Sequence, residues 1–419
     1  MTPGRAPNEM KADGPKKVSF RNGPCMRSFQ GQHPFNSLQS PPTPIMTRSR
    51  SRPVLLFLVT CYLCPVPFLG AAKTPVWSPV MAPLMTLWAA EVDPEKVLPE
   101  YPRPTLVRER WLNLNGLWEF APVRATDPIP HQTTLTEKIL VPFAWESALS
   151  GIRRQMPEHR AVYRRTFVVP QAWRGERVML NFGAVDWEAT VHINGRFAGQ
   201  HRGGFDAFGF DITPLLLPSG SQEIIVQVFD PTNDAAIAVG KQNLSKFSDP
   251  GRYAYSPVSG IWQTVWLEPV PDRHIASIHT DPDIDRSVLE LTVSPDELDE
   301  TLSVKATARI GADVISSVTG AINTRLALPV PAARLWWPDD PFLYDLEVQL
   351  LRGDVVVDTI QSYFGMRKIS LLPVIENGRG PVQKLALNHT LIFQMGPLDQ
   401  GYWPDGLYTA PTDEALRWE

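Results

Sequence analysis

The stretch Pro257-Val258-Ser259-Gly260-Ile261-Trp262-Gln263-Thr264-Val265-Trp266-Leu267-Glu268-Pro269 decides the fold. Its segment Gln263 to Leu267 has strand length, lies between a Ser-Gly turn and a proline, and closes a series of similar runs upstream. Val178-Met179-Leu180-Asn181-Phe182 and Glu188-Ala189-Thr190-Val191-His192-Ile193 alternate or run apolar over strand length, as does Glu223 to Phe229. Between two of these runs, Asn194-Gly195 supplies the pair of positive-φ residues that a tight type I′ hairpin requires, so Arg196 to His201 reads as the returning strand. Short strands punctuated by turn residues predict a β-sandwich.

A second series follows from Arg273: His274 to Ile278, Val288 to Val293, Leu302 to Ile310, Arg325 to Leu328, Leu343 to Leu350 and Val355 to Tyr363. Such a density of short strands predicts an immunoglobulin-like sandwich without its disulfide. Trp336-Trp337-Pro338 precedes a late strand and reads as packing between domains.

The motifs also fall in a recognisable order. Leu114-Asn115-Gly116-Leu117-Trp118-Glu119-Phe120, Val141-Pro142-Phe143 with Glu146-Ser147, and Tyr163-Arg164-Arg165-Thr166-Phe167 come first. Val191-His192-Ile193-Asn194-Gly195, Gly203-Gly204-Phe205, Phe210-Asp211-Ile212-Thr213 and the opening stretch follow. With Ser362-Tyr363-Phe364-Gly365-Met366-Arg367, these resemble glycoside hydrolase family 2, the family of β-galactosidases, β-glucuronidases and β-mannosidases, over Tyr101 to Glu419. The resemblance implies a mainly β chain: a jelly-roll, galactose-binding-like sandwich over 101–270, an immunoglobulin-like sandwich over 271–367, and over 368–419 the start of a catalytic (β/α)8 barrel. Such a barrel takes about 250 residues, and only about fifty follow Arg367. The chain is therefore expected to stop before the two catalytic glutamates that the family carries on later barrel strands, and to be inactive alone. The implied reaction is retaining hydrolysis of β-linked sugars, needing no redox cofactor. The alternative is a secreted, non-catalytic carbohydrate-binding protein built from two sandwiches.

Composition bounds the partners. Lys and Arg number 40 and Asp and Glu 44, and the imbalance is uneven: nine basic against two acidic residues up to Arg52, then 31 against 42. An acidic body argues against a nucleic-acid partner and leaves a carbohydrate as the expected one. Arg48, Arg50 and Arg52, the apolar run Val54 to Leu69, and Gly70-Ala71-Ala72 read as a signal peptide over 46–72, hence an exported protein. The run is shorter than the ~20 residues of a spanning helix, so no membrane span is expected. Residues 1–45 read as a disordered extension or an over-long start, and the Pro-rich 73–100 as a linker or as a segment packed on the first sandwich. Cys61 and Cys64 have redox or metal spacing but lie in the apolar run and read as signal-peptide residues; Cys25 precedes it. No His or Cys cluster has metal spacing, and no Gly-rich phosphate loop follows a strand.

Lys384 to Phe393 reads as a hairpin entering the first barrel strand, and Thr412 as the N-cap of a helix through Glu419. Between them, Gly396 to Gly406 would leave the barrel face on which such enzymes build their sites. Here Asp399, Trp403 and Asp405 are the candidate substrate-binding residues: aspartates accept sugar hydroxyls and an indole stacks on a pyranose. The competing reading has the aspartates fixing turns while Tyr402 and Trp403 pack. The better-known β-galactosidases and β-glucuronidases carry an Asn and a His-Glu pair in this stretch, and Ala254 stands where the best-known β-galactosidases hold a metal- and galactose-binding aspartate. Both departures leave the sugar open. Glu146 and Glu188 are expected to be solvated and are not offered as catalytic groups. Trp118, Trp187, Trp262 and Trp266 are expected to face the core rather than a ligand.

Overall fold

The computed structural model describes residues 77–247, 253–375 and 380–419. The signal-peptide reading and all three cysteines lie outside the described residues. Through the first sandwich run strands β1 (Leu112–Asn113), β2 (Gly116–Pro122), β3 (Glu137–Val141), β4 (Arg160–Phe167), β5 (Arg177–Phe182), β6 (Val185–Asp186), β7 (Glu188–Ile193), β8 (Arg196–Arg202), β9 (Phe208–Asp211), β10 (Gln222–Phe229), β11 (Gly260–Ile261) and β12 (Val265–Val270). One sheet has the order β3-β2-β4-β10-β7-β8 and faces a second of order β1-β12-β5-β9, with β6 and β11 paired at the end.

Alternation builds the core between these sheets. On β5, Val178, Leu180 and Phe182 are buried while Arg177, Met179 and Asn181 are partly exposed; on β2, Trp118 and Phe120 point inward. They meet Tyr163, Val191, Ile193, Ile224, Val226 and Leu267 from the facing strands. The β7–β8 hairpin turns on Asn194 (φ 50°) and Gly195 (φ 75°), as the Asn-Gly pair implies. Trp118 and Trp266 are core residues, whereas Trp187 and Trp262 stand half-buried.

The second sandwich pairs a three-stranded sheet with a four-stranded one. Its strands are β13 (Ile275–Asp283), β14 (Val288–Pro295), β15 (Leu302–Ile310), β16 (Asp313–Ala321), β17 (Leu326–Pro329), β18 (Tyr344–Arg352) and β19 (Val355–Phe364), in the orders β13-β14-β17 and β16-β15-β18-β19. Leu289, Leu291, Val304, Leu346, Val348 and Ile360 fill its core. Strand β16 is an element that the sequence pattern did not reveal. Trp336 and Trp337 are half-buried, and the Arg367 guanidinium lies 4.9 Å from the centre of a Trp336 ring.

Three features bear on the site. Residues 77–100 pack onto the first sandwich: Ala89 and Val97 join Leu140, Phe143 and Leu149 in a separate apolar cluster, and the Val80 amide donates to the Ala148 carbonyl. The expected hairpin forms from β21 (Val382–Leu387) and β22 (Thr390–Leu391), with Asn388 and His389 both at positive φ, and β20 (Ile369–Val374) adds a third strand. The expected first barrel strand does not form: residues 392–412 contain no strand, only the isolated bridge between Trp403 and Leu407. A parallel barrel strand takes its hydrogen bonds from strands on either side, and no closed barrel is present among the described residues. Helix α1 (Asp413–Trp418) forms as read, with the Ala415 amide donating to the Thr412 hydroxyl. No described helix is long and apolar enough to cross a membrane.

Candidate functional site

Four loop segments converge at one end of the first sandwich: the turn after β3, the turns after β10, the approach to β11, and the segment 396–411. At the bottom lie three buried carboxyl groups. Glu146 Oε2 accepts from the Ser259 amide at 2.9 Å, and the Ser259 hydroxyl donates to Asp230 Oδ2 at 2.6 Å. Asp230 also receives the Thr232 amide and hydroxyl. Asp186, at the end of β6, accepts from Gln242 Nε2 at 2.9 Å, while the Val258 amide donates to the same side chain's oxygen at 2.6 Å. Gly204 sits against Asp186 so closely that a Cβ there would lie 2.4 Å from its Oδ1.

Burial governs the protonation of this cluster. Desolvation pushes Glu146 well above the usual carboxylate range, with the Asp230 charge adding to it. Asp186 is pushed up to about 8, first by burial and then by Asp230. Asp230 is raised by burial, against the opposing hydrogen bonds from Ser259 and Thr232. The expectation that Glu146 is solvated is thus corrected: the turn after β3 carries its side chain beneath Ser259, where 5% of it is exposed. Glu188 is partly exposed and pairs with Arg202 Nε at 2.7 Å.

Above the carboxyls lies an aromatic layer. The Tyr402 ring stacks on Tyr255 at 4.4 Å and tilts against Tyr408 at 4.6 Å, and Tyr408 leans on Trp262 at 5.2 Å. Trp262 Nε1 donates to the Gly204 carbonyl at 2.8 Å, and the Thr409 hydroxyl donates to the Trp262 carbonyl at 2.6 Å. Burial raises the pKa of the Tyr402 hydroxyl, which lies 3.3 Å from the Ser256 carbonyl. Segment 396–411 is thereby laminated onto the sandwich.

The three candidate residues of that segment have different surroundings. Asp399 is exposed, with the Gly401 amide donating to Oδ1 at 2.7 Å. Trp403 is half-buried, edge-on to Trp88 at 6.1 Å, and lines a cleft of about 290 Å³ with Tyr101, Trp262, Gln263, Tyr408 and Asp413. Asp405 is fully buried: Oδ2 accepts from the Thr86 amide at 2.8 Å and its hydroxyl at 2.6 Å, and the Asp405 carbonyl accepts from Leu149. Asp405 therefore ties the loop to 77–100 through its carboxylate and to the turn after β3 through its backbone carbonyl, while Asp399 and Trp403 remain accessible. Beside Asp399, Gln400 Oε1 accepts from Lys241 Nζ at 2.6 Å and from the Tyr255 hydroxyl at 3.0 Å. Lys241, Gln242 and Tyr255 were not singled out in the sequence; they come from a separate loop, and no local spacing links them to Gln400.

Comparison with known proteins agrees with this architecture. The model for the glycosyl hydrolases family 2 sugar binding domain matches residues 111–271, and that for glycosyl hydrolases family 2 matches 273–367. A β-galactosidase of Thermoanaerobacter pseudethanolicus is 27% identical over 49% of this chain and 28% of its own length. A β-glucuronidase of Paenibacillus borealis is 26% identical over 65% of this chain and 47% of its own. The chain thus spans less than half the length of either relative. In fold it is similar to a β-glucuronidase from Ruminococcus gnavus solved with N1-substituted uronic isofagomine, with a TM-score of 0.61 and 19% identity over 75% of this chain and 54% of that one. With both family models aligned end to end along its two sandwiches, the chain belongs to glycosyl hydrolase family 2.

Proposed function

We propose that this chain is the front part of an exported β-glycosidase, and that it shapes one side of a sugar site whose two catalytic glutamates lie outside the residues described. The observation that carries this reading is the lamination of 396–411 onto the sandwich, which displays Asp399, Gln400 and Trp403 beside Lys241, Tyr255 and Trp262. Retaining hydrolysis needs two carboxyl groups about 5–5.5 Å apart with the anomeric carbon between them. Glu146, Asp186 and Asp230 do not meet that need, because each is almost wholly enclosed by protein. Their part is to support the loop from beneath. The relatives are a β-galactosidase and a β-glucuronidase, so the reaction proposed is hydrolysis of a β-linked sugar, without a cofactor. The cleft beside Trp403 gives the second reading, carbohydrate binding without catalysis, a physical basis.

Release of nitrophenolate from p-nitrophenyl β-glycosides of galactose, glucuronic acid and mannose tests the assignment. The 419-residue chain is expected to release none, and a longer product of the same gene carrying a barrel is expected to turn over at least one. Turnover by the 419-residue chain would overturn the division of labour. An inactive longer product would leave carbohydrate binding as the function.

A further inference from the structure

Between the β21–β22 hairpin and helix α1 the chain changes its surroundings abruptly. Residues 391–399 are all exposed, Phe393 at 90%, Met395 at 89% and Leu398 at 84%. From Phe393 to Gln400 no backbone hydrogen bond forms among the described residues. A few positions on, Asp405, Gly406 and Leu407 are buried, and so are Thr409, Ala410 and Pro411.

The two ends of the exposed stretch are fastened to different bodies. Upstream, Asn388 Nδ2 donates to the Trp336 carbonyl at 3.0 Å, and His389 pairs with Asp285 in the turn after β13, so the hairpin is held by the second sandwich. Downstream, Gln400 Oε1 accepts from Lys241 and Tyr255, Asp405 binds Thr86 and Leu149, and the Thr409 hydroxyl donates to the Trp262 carbonyl. Leu407 packs with Ala144 and Val258. These contacts draw on four separate parts of the chain between Thr86 and Trp262, and none of them needs residues 392–398.

An endopeptidase must take up several residues of backbone that are free of other hydrogen bonds, and it cuts fastest where reaching that state needs no unfolding. Other exposed apolar side chains stand on paired backbone: Leu87 opens a 3-10 turn and Val355 begins β19. Phe393, Met395 and Leu398 join large apolar side chains to unpaired backbone. Cleavage adds one water across a peptide bond: the C–N bond breaks, the carbonyl carbon becomes a carboxylate, and the nitrogen becomes a new amino terminus.

We infer that 392–398 is a cleavage site for an endopeptidase that reads large apolar side chains, and that the cut chain stays one folded unit because 400–411 is bound to the first sandwich as a strap. The inference stands apart from the glycosidase reading, and the cut leaves Asp399 and Trp403 on the sandwich.

Brief digestion of the full 419-residue chain with chymotrypsin under native conditions, read by mass spectrometry, tests the first half. Within the described residues the earliest new amino termini are expected at Gln394, Gly396 or Asp399. Thermolysin, which reads the residue after the bond, is expected to give Phe393, Met395 or Leu398 instead. The triple variant Phe393→Ser, Met395→Ser, Leu398→Ser changes only exposed side chains and is expected to lose the chymotrypsin cut. Native gel filtration of the cut parent tests the second half: the carboxyl-terminal fragment is expected to elute with the rest and to separate only in urea. Earlier cutting elsewhere in the described residues, an undiminished cut in the triple variant, or release of the fragment without denaturant would each overturn the inference. The thermolysin map needs no variant, so the test holds even if the triple variant fails to fold.

Discussion

Asp186 shows how a buried acid reports its surroundings. Its folded pKa, about 8, lies above the ~4 of an unfolded aspartate. Between those values the folded state holds a proton that the unfolded state has lost, so the contribution of this group to stability falls as pH rises, by up to ~1.4 kcal/mol per pH unit. Asp186→Asn keeps an acceptor for Gln242 Nε2 and removes the titration. The variant is expected to match the parent near pH 4 and to become progressively more stable than it up to about pH 8. Urea denaturation of both proteins at several pH values measures that difference, and a gap that stays constant with pH would refute it. The difference is the useful quantity, because Glu119, Glu223, Asp211 and Asp296, whose pKa values are lowered, act in the opposite sense. None of this was legible in the sequence. Asp186 lies between the two runs read as strands and was not singled out, and its partner Gln242 lies 56 positions away. Glu146 was misjudged for the same reason: a glutamate in a turn is ordinarily solvated, and only the return of the chain at Ser259 covers it.

At the scale of elements, legibility followed the presence of a buried face. The β7–β8 hairpin was readable because Asn-Gly dictates its turn, and β15 because its apolar positions define a core side. Strand β16 escaped because it is the edge of its sheet and none of its residues is buried; the two that pack on the core, Ile315 and Val318, are three apart across a bulge, so no period of two shows. The loop 396–411 was legible as a site only in outline. Its spacing could not show that Asp405 points inward to Thr86 while Asp399, six residues earlier, is exposed. That staple makes a prediction for the element. Asp405→Ala removes the acceptor of two hydrogen bonds from Thr86. Hydrogen bonds to charged groups contribute about 1.5–3 kcal/mol each, so the variant is expected to loosen both 77–100 and 396–411. Amide hydrogen exchange is expected to speed up in these two segments and to remain unchanged in β15 and β18; unchanged exchange around Thr86 would contradict the assignment.

For the whole molecule, the decisive connection is the segment 101–108, which crosses from one sandwich to the other. At its start, Tyr101 and Arg103 donate to Glu268 on β12. At its end, Arg108 binds Asp358 on β19 through Nη1 and Nη2, at 2.6 and 2.9 Å, and donates to the Ile275 carbonyl on β13. The Val107 backbone pairs with Gln361. Arg108 and Asp358 are both more than nine-tenths buried, so the pair is worth less as an attraction than as a constraint: formed, it roughly offsets its own desolvation, but halved it leaves a buried charge. Arg108→Leu is expected to cost about 3–5 kcal/mol for that reason. The loss falls on the connection between the sandwiches rather than on either core, since Leu289, Val304 and Ile360 on one side and Trp118 and Leu180 on the other keep their packing. Calorimetry of the parent is expected to show the sandwiches melting together, and of the variant a separate, earlier transition for the second sandwich. Asp358→Asn in the Arg108→Leu background should restore part of the stability, because it removes the stranded charge; if the double variant melts no higher than Arg108→Leu, the cost lies in lost packing of the arginine stem and not in electrostatics.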